Sequence, residues 1–488
     1  MQLPKKIPLC MGGALLMLSV RAQTEMSVFT TTGRAAATTF VTDYQAVGIN
    51  PANLGWKWRF AGKHLAFGLA EGSYSVYSEA LTRDDLRKRV LRADLDFTEA
   101  EKDQAGRAFA DAGAALNADV MLVGACYAND SLGGFAFQVR DRAQWNSTFS
   151  PVMAELLFEG YRSNYFDLLV LVTGDTITNY QDLPADSLAL IAAGIASDPQ
   201  LLGTVLNGSN ISFTWYREFN VSYGRRLART NNLELFGGIG LKYLLGIGII
   251  DLRAENNTFD GFTSLSPYFD IDYGGAAQGN PSRVTARNTL LPEAVGKGFG
   301  LDVGLSAIID ERWKIGVAVT NIGSINWEGN VYTADNGLLV ELASNGLDNY
   351  NFFSGIDDFV TNDGLLNWQG TQERRVALPT NARLGAGLLV GTKAEVGVDL
   401  VLPMNDEPGN YEKAVVGVGG DVRPVKWLQL SAGVVAGGNY DTKVPVGITF
   451  IAGNGTWEAG LASRDAVTFF ADKKPTVSLS MGFLRFRF

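Results

Sequence analysis

The feature that most restricts what this chain can fold into is a two-residue alternation over 211–249. Ile211, Phe213, Trp215, Phe219, Val221 and Tyr223 are apolar, and Ser212, Thr214, Tyr216, Glu218, Asn220, Ser222 and Gly224 lie between them. After a polar break at 225–232 the pattern resumes through Leu233, Leu235, Ile239, Leu241, Tyr243, Leu245, Ile247 and Ile249. Glu234, Gly238, Gly240, Lys242, Gly246 and Gly248 now lie between. Successive side chains of a strand point to opposite faces, so one face is continuously apolar and the other polar or empty. Both runs exceed the roughly five or six residues usual for strands of soluble domains. A strand of about 9–11 residues tilted across a bilayer carries this pattern with its apolar side toward lipid. The chain therefore reads as all-β, a transmembrane antiparallel β-barrel built from repeats of this hairpin.

The alternation recurs often enough to count strands. They fall near 64–77, 118–126, 133–141, 210–223, 233–249, 299–309, 313–322, 380–390, 393–402, 411–422, 426–436, 444–451, 456–463 and 475–487, about 14 in all. The odd-numbered connections include the four long ones, 78–117, 142–209, 250–297 and 323–379. The even-numbered connections are short. Bacterial barrels have even strand numbers, short periplasmic turns and long outer loops, which predicts both termini on the periplasmic side. A few short helices are expected in the loops. Thr82 precedes an acidic turn, Thr98 with Glu101 forms a capping-box pattern, and a third helix fits 186–195. The C-terminus alternates Leu484, Phe486 and Phe488 with Arg485 and Arg487, whereas Val477, Leu479 and Met481 have the opposite parity. A bulge near Gly482 is therefore expected.

A helical membrane protein is a poor fit, because the longest apolar stretches, 188–196 and 236–250, are respectively short and interrupted by Lys242. At the N-terminus Lys5 and Lys6 precede an apolar run over 7–20, and Val20-Arg21-Ala22 offers a cleavage site, so 1–22 reads as a signal peptide. Its removal takes Lys5, Lys6 and Arg21 from 41 basic residues and leaves 38 against 51 acids, a charge of −13. That balance argues against nucleic acid as a partner. Cys126 then remains as the only thiol, so no internal disulfide forms.

Few residues suggest catalysis, and no cofactor, metal site or enzyme is expected. His64 is the only histidine and opens a strand, which suits an exposed strand end better than a triad or a metal site. Cys126 reads as a small buried apolar residue. The acidic pairs Asp84/Asp85, Asp270/Asp272 and Asp357/Asp358 lie among turn-forming neighbours and read as solvated loop acids or weak calcium sites. No phosphate-binding glycine loop opens a helix.

The inward face is more informative. With the apolar parity on lipid, Glu218, Lys242, Asp302, Arg383, Glu395, Asp399, Asp421, Gln429 and Glu458 point into the lumen. Glycines 238, 240, 246, 300, 304, 385, 387, 417 and 419 lie on the same face. This mixture leaves room for an occupant, and the segment 23–62, which has no sustained period, is the candidate. The alternative is that these charges simply pair across the barrel. Arg217 falls on the lipid-facing parity and is expected near an interface, or turned inward by a bulge.

Three features together resemble one family. They are 46–54 with Asn50-Pro51-Ala52 ahead of the first strand, Val319-Thr320-Asn321-Ile322-Gly323 closing a strand, and the aromatic terminus. The chain resembles the FadL-type (FadL/TodX-like) outer-membrane barrels, and Gly238–Ile250 looks like a strand of an uncharacterised branch related to type IX secretion and gliding barrels. The resemblance implies fourteen strands, residues 23–62 as an N-terminal hatch, 63–488 as the barrel, and the outer membrane of a Gram-negative bacterium. It implies outer-membrane lipid as surroundings and recognition of the last strand by the barrel-assembly machinery. Two functions remain open. One is a channel for small hydrophobic molecules, with an apolar hatch interior and an opening in the wall. The other is a scaffold whose outer loops bind a protein partner through an exposed apolar patch.

Overall fold

The computed structural model of the chain describes residues 28–60, 62–85, 96–180, 183, 185–286, 291–350, 365–438 and 440–488. The expected signal peptide and the Asp357/Asp358 pair lie outside the described residues.

Fourteen strands form the wall. They are β1 (Leu65–Ser78), β2 (Gly113–Asn129), β3 (Gly133–Thr148), β4 (Asn210–Arg229), β5 (Leu233–Glu255), β6 (Gly296–Ile309) and β7 (Trp313–Trp327). There follow β8 (Asn381–Val390), β9 (Ala394–Pro403), β10 (Val415–Val425), β11 (Leu428–Gly437), β12 (Val446–Ala452), β13 (Trp457–Ser463) and β14 (Thr476–Arg487). Each pairs antiparallel with its neighbours in this order, and β14 returns to β1 with Val477 opposite Val76, closing the barrel. Closure removes the unpaired strand edges that could not exist in hydrocarbon. The β6–β7 turn shows why such short connections suffice: Asp310 and Glu311 both adopt positive φ, 51° and 55°, the hand that matches strand twist.

The outer face is apolar and open, with Phe137, Val221, Leu241, Phe299, Leu305, Val418, Val434 and Leu479 all exposed. Trp313, Trp427 and Phe488 are exposed at the short-turn end, the arrangement of an interfacial aromatic girdle. No helix among the described residues is long and apolar enough to cross a membrane.

At the opposite end the long connections build a cap. It contains α1 (Glu99–Phe109), opened by the Thr98/Glu101 capping box, and α2 (Pro151–Glu159), opened by Ser150. A small sheet orders Leu338–Leu342, Ile191–Leu201, Leu168–Leu171 and Thr176–Thr178 side by side. The wall itself rises into the cap. Val76, Leu116, Trp145, Phe213 and Ile250 stand opposite one another across β1 to β5 on the outward parity, yet all are buried in the cap's core. These strands therefore outrun the alternation that marks them in the sequence: β2 starts at 113 and β3 ends at 148, because both faces are covered there. The helix expected over 186–195 is a correction. Only Ala185–Leu188 is helical, and Ile191–Leu201 is a strand, since pairing on both sides outweighs the helical preference of its alanines, which tertiary context readily overrides. Of the helix expected after Thr82, Arg83–Asp85 forms one turn and 86–95 lie outside the described residues.

The bulge expected near Gly482 is present. Glu458 pairs with Arg485 and Gly460 with Gly482, so β14 carries one extra residue and Phe483 and Leu484 both face outward. The motif 319–323 does not close its strand: β7 continues to Trp327, and Asn321 sits within it at φ 62°.

Candidate functional site: a filled lumen and an apolar chamber

Residues 28–56 lie inside the barrel as a chain of short turns, an α-helical turn at Phe29–Thr32 and 3-10 turns at Asp43–Ala46 and Pro51–Gly55. Nearly every residue of this segment is buried. The wall glycines are what admit it. A Cβ on Gly417 would stand 1.8 Å from the Ala35 carbonyl oxygen, and one on Gly238 would stand 2.3 Å from the Pro51 carbonyl carbon. Gly304 faces Asn50, Gly385 faces Thr38, Gly387 faces Thr39 and Gly419 faces Arg34, all at close range. Three of the expected lumen glycines serve the wall instead: Gly240 lies against Ser222, Gly246 against Trp327 and Gly300 against Leu378.

The segment is tied down by charge as well as fit. Asp43 accepts from Arg485 at 2.8 Å and from Arg487 at 3.0 Å, and the same two arginines reach Glu458 at 3.1 and 2.9 Å. Arg34 pairs with Asp421 at 3.1 Å. Asp399 accepts the backbone amides of Ala37 and Thr38 at 2.6 and 2.8 Å. Tyr44 donates to Glu71 at 2.5 Å, and Gln45 donates to the other oxygen at 2.8 Å. Asn50 caps its 3-10 turn by accepting from Ala52 at 3.1 Å and reaches the Leu305 carbonyl, so Asn50-Pro51-Ala52 is seated against β4 to β7.

Of the candidate lumen residues, Glu218, Lys242 and Asp302 do meet. Lys242 lies 3.0 Å from Asp302 and 3.5 Å from Glu218, and donates to Asn321 at 2.5 Å. The Asn321 amide in turn donates to Asp302 at 2.8 Å, so its left-handed backbone completes a buried polar knot. Glu395 stands apart and pairs with Lys314 at 2.5 Å, and Arg383 lines a separate polar cavity. Sequence reading missed Asp43, Tyr44, Glu71, Arg485 and Arg487 as lumen partners. The parity flip at the bulge turns both arginines inward, and that was visible in the terminal alternation.

The residues considered for catalysis are otherwise engaged. His64 Nδ1 lies 2.9 Å from the Ala128 carbonyl, Asp85 accepts from Thr82 and Asp272 accepts from the Gly274 amide. Cys126 is buried. Arg217 remains outward and forms a two-point pair with Asp141 at 2.6 and 2.7 Å.

A second feature lies between cap and wall. An apolar cavity of about 50 Å³ is lined by Trp145, Ile211 and Ile250 of the wall and by Phe149, Met153 and Leu157 of the cap. One further irregularity marks the wall. The ladder is irregular at Ala70 with both neighbours, at Leu122 on β2 and beside the β14 bulge, so three adjacent strands carry irregularities at one place. Glu71, Tyr44 and Gln45 stand directly behind that place.

A family model described as "Family of unknown function (DUF5723)" matches residues 172–455. The chain belongs to the DUF5723 family. Among solved structures, this DUF5723 barrel is similar to the Pseudomonas putida toluene transporter TodX, at 10% identity and a TM-score of 0.41 over 94% of this chain and 96% of that one. It is also similar to a Pseudomonas aeruginosa FadL homologue, at 11% identity and a TM-score of 0.41 over 95% and 98%. No curated protein matches the sequence. The fourteen-strand closure rests on the chain's own strand pairing.

Proposed function

We propose that this protein is an outer-membrane channel for small hydrophobic molecules, with residues 28–60 as its hatch and the cap facing outward. The apolar cavity beneath α2 carries the reading. A dry cavity lined by aromatic and aliphatic side chains rewards entry of an apolar molecule and offers water too few partners to compete. The irregular ladder shared by β14, β1 and β2 supports a sideways exit, since the lumen is filled and polar. The toluene transporter and the FadL homologue are named for molecules or relatives of this kind, and that naming agrees with the proposal without carrying it.

A second reading, a scaffold for a protein partner, is favoured by one observation. Val172, Tyr180, Leu338 and Val340 are exposed on the cap, three of them on or beside its small sheet. Native mass spectrometry of the full chain, extracted from its own membrane in mild detergent, separates the two. A monomer carrying a discrete lipid-like adduct, lost in Ala254→Trp, which fills the cavity, supports the channel. A stoichiometric protein partner with no adduct overturns it in favour of the scaffold.

A further inference from the structure

Cations inside the barrel are met by carboxylates. Arg140 and Arg142 face Asp119 and Glu218, Arg34 pairs with Asp421, and Lys314 pairs with Glu395. The short-turn end differs. Lys393 in the β8–β9 turn and Lys426 in the β10–β11 turn are exposed, and so is Arg59 at the end of the N-terminal segment. Among the described residues, none of these three pairs with a carboxylate.

The backbone gathers the three into one sector of the rim. The Arg423 amide donates to the Lys393 carbonyl at 2.7 Å, which ties the two turns together. Arg59 Nη2 donates to the Thr392 carbonyl at 2.6 Å. Arg423 itself turns inward, donates to Gln429 at 2.8 Å and faces Asp421 and Glu458, so its charge is met within the lumen. The turns 391–393 and 426–427 hold no Asp or Glu, whereas the β6–β7 turn sets Asp310 and Glu311 beside Arg312. This sector is therefore cationic without an acid of its own.

The same sector borders lipid. Trp427 follows Lys426 directly, is exposed, and stacks on Phe450 of β12 with ring centroids 6.3 Å apart and 3° between their planes. Val396 of β9 and Val422 of β10 lie exposed on the outer wall beside the two turns. An indole at this level sits among headgroups, and a lysine stem there reaches along the wall toward phosphate. We propose that Lys393, Lys426 and Arg59 form a docking surface for the phosphate headgroups of anionic phospholipid, whose acyl chains lie along β9 and β10. A soluble anion or an acidic protein would find the cations but have no use for the Trp427–Phe450 pair. The inference rests on the spanning barrel and is independent of whether the chamber conducts.

Native mass spectrometry of the full chain in detergent, with equimolar dioleoylphosphatidylglycerol and dioleoylphosphatidylcholine added, tests this. The expected result is preferential retention of phosphatidylglycerol, weakened about fivefold by each of Lys393→Gln and Lys426→Gln. Arg229→Gln removes one charge from a different turn, where Glu234 already meets it at 3.1 Å, and should change nothing. Ala254→Trp, which fills the apolar chamber, should also leave retention unchanged, and this separates the surface from the channel reading. Excess inorganic phosphate should not displace the lipid. Equal retention of the two lipids, an equal loss in Arg229→Gln, loss in folded Ala254→Trp, or displacement by free phosphate overturns the proposal.

Discussion

Asp43 and Arg485 are separated by 442 residues and meet at 2.8 Å inside the barrel, both side chains almost fully buried. The contact fastens the N-terminal segment to the strand that closes the barrel. Removing one member of a buried pair typically costs about 3–5 kcal/mol, because the other charge stays behind in a site without water. Asp43→Ala should lower the temperature at which the barrel unfolds on a heated gel and should expose residues 28–60 to protease. Unchanged protection would mean that the pair does not hold the segment.

Packing makes a separate claim. Gly417→Val places a side chain where the Ala35 carbonyl already sits, so the segment must shift or the wall must bend. Gly279→Ala has open space and serves as control. The first variant should show faster hydrogen exchange over 28–40, and the control should match the parent protein.

Lys242 is the hub of the knot formed with Glu218, Asp302 and Asn321. Lys242→Met strands two buried carboxylates and should destabilise the barrel by about 3–5 kcal/mol. Replacing the acids as well, in Lys242→Met/Glu218→Gln/Asp302→Asn, should recover part of that loss. Denaturant unfolding of the three forms measures both steps, and a triple variant no better than the single one would argue against the knot.

The cap responds to pH through Glu159. Burial between α1 and α2, together with Glu155 and Asp103 nearby, raises its carboxyl to about 7. The folded state thus binds this proton more tightly than the unfolded state does. The resulting stability is fully present below the ordinary carboxylate range near pH 4.5 and is lost as pH rises through about 7. Hydrogen exchange over 99–109 and 151–159, corrected for intrinsic rates, should be slower at pH 5 than at pH 8. Glu159→Gln should remove the difference and slow exchange at pH 8.

Arg217 and Asp141 face outward, side by side, at the border between the cap-covered and the open parts of the wall. Asp141→Ala leaves the arginine alone. The expected cost lies between about 0 kcal/mol at an interface and about 4 kcal/mol at mid-bilayer, so its size, read by unfolding in lipid vesicles, reports the depth of the border.

The barrel was legible because lipid and lumen impose opposite demands on alternate residues. Runs such as 299–309 and 393–402 state their faces outright. Where both faces are covered, the signal fades: Leu116 and Trp145 belong to strands but sit outside any alternation that sequence alone displays. The first part of the strand at 191–201 falls in the helix expected over 186–195, because its Ala-rich stretch has no strand period of its own and takes its form from neighbours at 168–171 and 338–342. Lumen residues were found by parity, and Glu218, Lys242 and Asp302 do converge. Their partner Asn321 was not, because it acts through a backbone twist, and neither was Asp43, whose contact with Arg485 spans 442 residues. Arg140 and Arg142 were open to the same parity argument as Glu218, from Phe135, Phe137 and Val139 beside them.

With residues 28–60 as the proposed hatch, hydrophobic molecules pass only when that segment can move. Thr39 and Gly387 test it, since a Cβ on Gly387 stands 3.4 Å from that of Thr39, close to the roughly 3.5–4.5 Å spanned by a disulfide. The measurement is uptake of a small radiolabelled hydrocarbon by cells making Thr39→Cys/Gly387→Cys, oxidised and then reduced. Uptake is expected in the reduced form, with loss on oxidation and recovery on reduction. Equal uptake in both forms, or uptake no faster than in cells lacking the barrel, would contradict it.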